Sequence, residues 1–276
     1  MTATGASFRR LVVALGASRD SLAALATWAE LAARLRADLE GVFVEDADLQ
    51  RMAGLPFARV VAPGTVARAF DPETFERLMR SAAATARAAV EAEARARAIP
   101  FSFRTVRGVA AAALPENVAR GDLVVVEHAA FGAAGWQAVR ACRGSVLYVR
   151  PEARRGGEVL VLARDVLGDG AAADVLLGAA AELAAASARP LVLLLHDGDG
   201  ERRRRAEDVL ARRAPGVPAR VRVLDAEAGA DRAPLADVVR GVRGGILVAS
   251  PAALAELFAD GGLEGDPGCS VLLLQA

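Results

Sequence analysis

The sequence predicts an α/β protein made of two tandem copies of one unit, each a parallel sheet covered by helices. Three observations carry that reading. Residues 144–149 read GSVLYV and residues 269–274 read CSVLLL, so the chain ends the same phrase twice, with Ser145 and Ser270 lying 125 positions apart. Before each phrase, short apolar runs alternate with alanine-rich stretches of helical period. A length of 276 residues suits two domains of ordinary size, each large enough to bury a core.

The elements follow in order. LVVALG (11–16) is a first strand, and Ala17, Ser18, Arg19 and Asp20 come after it where a helix can be capped. Leu22, Leu25, Leu31 and Leu35 then make 20–37 an amphipathic helix. LEGVFVE (39–45) is a second strand. A long helix begins with Asp71 as cap and Pro72 in its first turn, and runs to about Ala98. FSFRTV (101–106) is a third strand, 108–119 a short helix, DLVVVE (122–127) a buried fourth strand, and a helix near 133–142 leads into SVLYV.

PEARRGG (151–157) has the proline, paired glycines and charges of a linker, which sets a first domain at 1–150 and a second at 158–276. The order then restarts: EVLVLA (158–163), a helix over 169–187, PLVLLLH (190–196), a helix over 200–213, ARVRVL (219–224), a helix over 232–240, GILVAS (245–250), a helix over 251–259, and CSVLLL. Strands flanked on both sides by helices favour parallel pairing, because right-handed crossovers cover both faces. The main asymmetry is an insertion, residues 46–70, after the second strand of the first copy. It follows a strand's carboxyl end, where open parallel sheets place ligand crevices. Its Leu55, Phe57, Val60 and Val61 form either a lid or partner surface, or an excursion packed on its own domain.

Composition excludes several functions. Net charge is zero, which argues against a dedicated nucleic-acid binder. All 34 basic residues are arginine, so neither a lysine Schiff base nor a phosphate-loop lysine is available. Cys142 and Cys269 sit beside the two closing strands and read as reduced core thiols. MTATGASFRR lacks the ordering of a signal peptide and no apolar run approaches membrane-spanning length. A cytoplasmic protein without stable membrane insertion is expected.

The paired units LVVALGAS…DLVVVE…SVLYV and VLVLAR…GILVAS…CSVLLL resemble a tandem universal stress protein over nearly the whole chain. The resemblance implies two Rossmann-like, adenine-nucleotide-hydrolase-like domains with five-stranded sheets of order 3-2-1-4-5. It also implies an intramolecular pseudo-dimer through the closing strands, placing Val146 and Tyr148 against Val271 and Leu273. Members that bind ATP carry an aspartate after the first strand, where Gly16 stands here. In the second copy Asp165 falls one place late, either as a displaced equivalent or as a helix-capping carboxylate.

Binding members also carry Gly-x2-Gly-x9-Gly-Ser/Thr after the fourth strand, where small residues let backbone N–H groups approach phosphate. Here Gly132 and Gly135 reproduce the first interval, the next nine residues end at Gly144, and Ser145 follows. Gly144 and Ser145 abut the closing strand and Trp136 crowds the turn, so an accidental or decayed motif is expected. The second copy lacks the string; Ser250 and Pro251 suit a helix start, and Gly261, Gly262, Gly265 and Gly268 a flexible approach to the last strand.

Other candidates are sparser. Glu127 and His128 end the fourth strand, where a histidine can carry a proton, yet no Ser/His/Asp set accompanies them. Val44, near the end of the second strand, and Ser18 join Gly16, Glu127, His128, Gly132, Gly135, Asp165 and Ser250 as ligand-binding candidates. His196 with Asp197 and Asp199 has no recognisable metal spacing, and Glu45, Asp46 and Asp48 suit a cation, arginine side chains or a solvated loop. Arg202–Arg205 read as a solvated helix face, and Trp28 and Trp136 as core or interface residues. The expected function is a noncatalytic stress-response or signalling module that binds a protein partner, a second copy of itself or a small ligand. Binding of ATP or another adenine nucleotide, with weak or no hydrolysis, is the alternative.

Overall fold

The computed structural model describes residues 8–17, 19–55, 57–60, 68–69, 71–108, 118–119, 121–151, 157–167, 171–196, 200–224, 245–257 and 270–275. The first half of the chain runs β1 (Arg10–Leu15), α1 (Arg19–Ala23), α2 (Leu25–Leu35), β2 (Asp38–Asp46) and α3 (Ala47–Ala53). A short ribbon of β3 (Arg59–Val60) and β4 (Arg68–Ala69) leads to α4 (Pro72–Ala96), β5 (Phe101–Gly108), β6 (Asp122–Glu127), α5 (His128–Ala141) and β7 (Ser145–Val149). The second half runs β8 (Val159–Leu162), α6 (Ala163–Val166), α7 (Ala171–Ser187), β9 (Leu191–His196) and α8 (Gly200–Arg213). It ends with β10 (Ala219–Leu224), β11 (Ile246–Ala249), α9 (Pro251–Leu257) and β12 (Ser270–Leu273).

Ten strands form one sheet in the order β10-β9-β8-β11-β12-β7-β6-β1-β2-β5. Numbered within each half, both sets run 3-2-1-4-5. Among the described residues of this sheet, pairing is parallel within each half and antiparallel between β7 and β12, while the separate β3–β4 ribbon is antiparallel. There Tyr148 faces Val271, Leu147 faces Leu272 and Val146 faces Leu273. The repeated phrase is therefore the seam. Each closing strand would otherwise be a bare edge with unpaired N–H and C=O groups, and each covers the other.

Alternation along the strands sorts the core into two layers. Leu11, Val13, Leu15, Leu123 and Val125 lie in a layer shared with α2, α4, α7 and α8. Val12, Ala14, Val124, Val126 and Tyr148 lie in the other, with α5 and α9. At the amino ends of the first-half strands, Arg10 bridges Glu40 and Asp122, each at 2.5 Å, and Arg104 reaches Glu40 at 2.6 Å. In the second half Glu158 takes both Arg220 and Arg222. The first-half pairs join neighbouring strands, whereas those of Glu158 reach from the start of β8 past β9 to β10.

The structure differs from the sequence expectations at several boundaries. The helix expected over 20–37 is interrupted at Ala24 and becomes α1 and α2. β5 continues through Gly108, and residues 109–117 of the expected 108–119 helix lie outside the described residues, as does the expected helix over 232–240. A short helix, α6, follows β8 directly. The helix expected near 133–142 starts at His128, five residues early.

Three helix ends fall within two residues of their expected places, without the usual residue to mark them. α2, α4 and α7 each close with a left-handed residue, Arg36 (φ 55°), Ala98 (φ 52°) and Ala188 (φ 53°). The next N–H bonds back to Ala32, Ala94 and Ala184 respectively, in the geometry that glycine usually serves. None of the three positions carries the glycine that marks such an end in a sequence. By contrast α4 starts as its sequence says, with Thr74 N–H donating to Asp71 Oδ1 at 2.9 Å and Pro72 in the first turn.

Candidate functional site

Open parallel sheets bind ligands beyond the carboxyl ends of their strands, where the loops after strands one and four converge. In the first half the first turn of α5 lies at that place. α5 starts at His128 with no intervening loop after β6. The N–H of Gly16 donates to Ser21 Oγ at 3.1 Å. A Cβ on Gly16 would meet the Ala130 carbonyl oxygen at 3.8 Å and the Phe131 ring at 3.9 Å, so the first turn of α5 lies over the end of β1.

The glycines expected to form a phosphate turn are helical. Gly132 and Gly135 lie inside α5, beyond its first four N–H groups, where helical N–H groups are spent on carbonyls four residues back. A Cβ on Gly135 would stand 3.0 Å from Phe131 Cβ and 3.1 Å from Val126 Cγ1, so this glycine lets α5 lie close on β6. Gly144 has the same kind of role: its Cβ would meet Val118 Cγ1 at 2.3 Å. Ser145 is already in β7, paired with Leu123. Eight residues, 136–143, separate Gly135 from Gly144, one fewer than the nucleotide-binding pattern. The four residues are thus split between α5, the turn after it and β7.

Glu127 and His128 are adjacent in sequence and separate in space. Glu127 is 2% exposed, and its Oε1 accepts the Trp28 Nε1–H at 2.5 Å beneath α2. His128 Nδ1 shares a hydrogen bond of 2.6 Å with the Tyr148 hydroxyl, their rings edge-on at 6.0 Å. Trp28 and Tyr148 belong to opposite core layers, so the acid and the imidazole have the sheet between them and form no acid–base pair. Val44 is buried in the Tyr148 layer.

In the second half the structure brings two candidates together. Asp165 is the third residue of α6 rather than its cap, which is Leu162. Ser250 caps α9: its Oγ accepts the Ala253 N–H at 3.2 Å, with Pro251 at the first helical position. Asp165 and Ser250 both line a pocket of about 120 Å³ with Ala172, Val175, Leu176 and Leu274. That is well below the roughly 300–1,000 Å³ usual for small-molecule sites.

The remaining candidates settle locally. Glu45 accepts Arg107 Nε at 2.9 Å. Arg202–Arg205 lie exposed along α8, where Arg203 pairs with Glu207. Cys142 is buried, and burial raises its thiol pKa. Ser18, Val61, Asp197, Asp199, Gly261, Gly262, Gly265, Gly268 and Cys269 lie outside the described residues. Among the described residues, no three His, Cys, Asp or Glu side chains could hold a metal ion, and no helix is long and apolar enough to cross a membrane.

Two further features bear on the site, and Leu55 and Phe57 of the first are the interface candidates read from the sequence. Leu49 and Met52 on α3, Leu55 and Phe57 after it, and Leu78 on α4 are all exposed, Phe57 to 75%. The first four sit on the insertion, whose α3 packs against the α4 that carries Leu78. A cleft of about 640 Å³ also opens at the seam, between α2 and the end of α7. The Glu127 bond to Trp28, whose ring lines that cleft, joins it to the carboxyl edge.

No family model and no curated protein matches the chain. Solved structures do. A universal stress protein from Archaeoglobus fulgidus is 13% identical, with 98% of each chain covered and a TM-score of 0.56. A Pseudomonas aeruginosa protein assigned to the universal stress proteins is 13% identical, covering 98% of this chain and 94% of that one, with a TM-score of 0.55. A functionally unknown protein from the same species gives 13%, 98%, 93% and 0.56 in the same order. At these identities the likeness is one of fold: the chain has the universal-stress-protein fold across both halves.

Proposed function

We propose that this protein is a noncatalytic binding module that works through a protein partner, on a scaffold whose nucleotide crevices are closed. The observation that carries the reading is the apolar surface of α3, the turn after it and α4. Exposed large side chains gathered on an insertion, rimmed by Arg51 and Arg77, mark an interaction surface more than a packing need. The first-half crevice supports the noncatalytic part, since α5 covers the end of β1 and keeps Glu127 apart from His128.

The double substitution Leu55→Ser, Phe57→Ser tests it. Both residues are exposed, so the fold and its melting temperature are expected to survive. Self-association in sedimentation, or complex formation with a partner identified by cross-linking the intact protein in cells, is expected to fall. A folded double variant with both unchanged overturns the reading.

A second reading places an adenine nucleotide in the second half. It rests on Asp165 and Ser250 sharing one pocket. That pocket must open several-fold to admit a nucleotide, so this reading predicts binding coupled to movement of α6 or α9.

A further inference from the structure

Every large hydrophobic side chain that is exposed among the described residues falls in one stretch of the chain. Leu49 and Met52 on α3, Leu55 and Phe57 after it, Leu78 on α4 and Phe101 at the start of β5 are between 37% and 75% exposed. The described residues of the second half add none. Both α3 and α4 pack against β5, the strand that ends the ten-stranded sheet on this side.

The main chain of β5 is open along that edge. The Leu39 N–H donates to the Pro100 carbonyl at 2.9 Å, and Leu39 stands opposite Phe101. In a parallel pair this turns the even-numbered residues of β5 toward β2, and the N–H and C=O groups of Phe101, Phe103, Thr105 and Arg107 outward. Such a row is a template for another strand, and unopposed charge commonly guards it. Here Arg104 is bound to Glu40 at 2.6 Å and Arg107 to Glu45 at 2.9 Å, so carboxylates of β2 offset both charges. At the opposite edge, β10, the described residues expose no large hydrophobic beside the strand.

The exposed apolar groups lie at opposite ends of β5. Phe101 begins the strand, whereas α3 follows Asp46, which stands opposite Gly108 at its end. Leu78 is in the second turn of α4, which runs back from that end to the start of β5. The eight residues of the strand hold the two groups roughly 23 Å apart. We infer that this surface binds a second copy of the chain, β5 pairing antiparallel with β5 of the copy about a twofold axis. Antiparallel pairing reverses the strand, so Phe101 of each copy meets the end where the other carries α3 and Leu78. One twofold position, at Arg104, satisfies every outward group, with Phe101 against Arg107 and Phe103 against Thr105 across the interface. A contact of this kind is self-complementary and closes on two copies. Burial of the exposed side chains adds apolar area to the main-chain pairing. The inference rests on the partner reading above and names the occupant of that same surface.

Sedimentation equilibrium of the intact chain is expected to show a dimer at tens of micromolar protein. Thr105→Pro removes an outward N–H that β2 does not use, so the monomer is expected to fold with an unchanged circular dichroism spectrum. Two main-chain bonds per dimer go with it, which is expected to weaken dimerisation by about thirtyfold. Phe101→Ser leaves the main chain intact and is expected to weaken the dimer too, which covers a Thr105→Pro protein that folds poorly. Hydrogen exchange reads the strand itself: the Phe103 and Arg107 amides are expected to be protected in the dimer and to exchange freely in the Thr105→Pro protein. A monomer at every concentration overturns the inference, as does a dimer left intact by whichever of the two variants folds. The partner reading then survives if Leu55→Ser with Phe57→Ser still loses a complex cross-linked in cells, and falls if it does not. A dimer that Thr105→Pro breaks and Leu55→Ser with Phe57→Ser keeps sinks the apolar surface in both.

Discussion

The end of β1 in the first half and the seam between the halves differ in what lies over them, although Trp28 links the two. At the edge, where the fold places ligands, α5 begins the moment β6 ends and lays Ala130 and Phe131 over Gly16. At the seam, α2 and α7 approach over an antiparallel pair of strands and leave about 640 Å³ unfilled. A helix that starts directly at the end of a strand lies over the neighbouring strand's end, and two units joined along one strand pair leave a cleft between their helices.

That comparison breaks most visibly at Trp28. Trp28→Ala removes a buried indole and the donor to Glu127, and is expected to cost about 3–5 kcal/mol in urea unfolding. Trp28→Phe keeps the ring volume nearly intact and should cost far less. If the two variants unfold alike, the Glu127 bond matters more than packing, and the edge and seam are coupled through charge.

Gly135 sharpens the reading of the filled edge. Its Cβ space is closed to 3.0 Å by Phe131 and 3.1 Å by Val126, so Gly135→Val is expected to destabilise by about 1–3 kcal/mol through overpacking. ATP affinity should be the same before and after, namely undetectable. A stable Gly135→Val protein that has lost nucleotide binding restores the phosphate role and contradicts the packing role.

The smallest expected effect concerns Glu182 on α7. Its Oε2 is buried without a hydrogen-bond partner, and burial raises the carboxyl pKa. A carboxyl whose folded pKa lies above its unfolded one binds more protons in the native state. Its penalty is absent below the unfolded pKa and grows as pH rises through the folded value. Glu182→Gln should therefore raise the melting temperature at neutral pH and leave it unchanged at acid pH. Equal melting at both shows that the carboxylate stays solvated.

How much of this was legible in the sequence depended on where each signal sits. The fully buried strands were read almost to the residue, DLVVVE and SVLYV among them, because a short apolar run bounded by turn residues leaves little choice. α4 announced itself through Asp71 and Pro72. α5 did not, since EHAAFG offers neither a Ser/Thr/Asp/Asn cap nor a proline, and that omission hid the closed crevice. Ala98 and Ala188 end helices in a conformation that sequence convention reserves for glycine. The cleft was illegible for a different reason: Trp28, Val149, Arg189 and Ile246 come from four distant elements and meet only once the seam forms.

The closed edge is tested most directly by titrating the intact chain with ATP–Mg²⁺ in a calorimeter. With α5 over Gly16 and the glycines spent inside a helix, no binding heat is expected up to hundreds of micromolar nucleotide. Saturable binding in the micromolar range would contradict a closed crevice and return the protein to the nucleotide-binding branch of its fold.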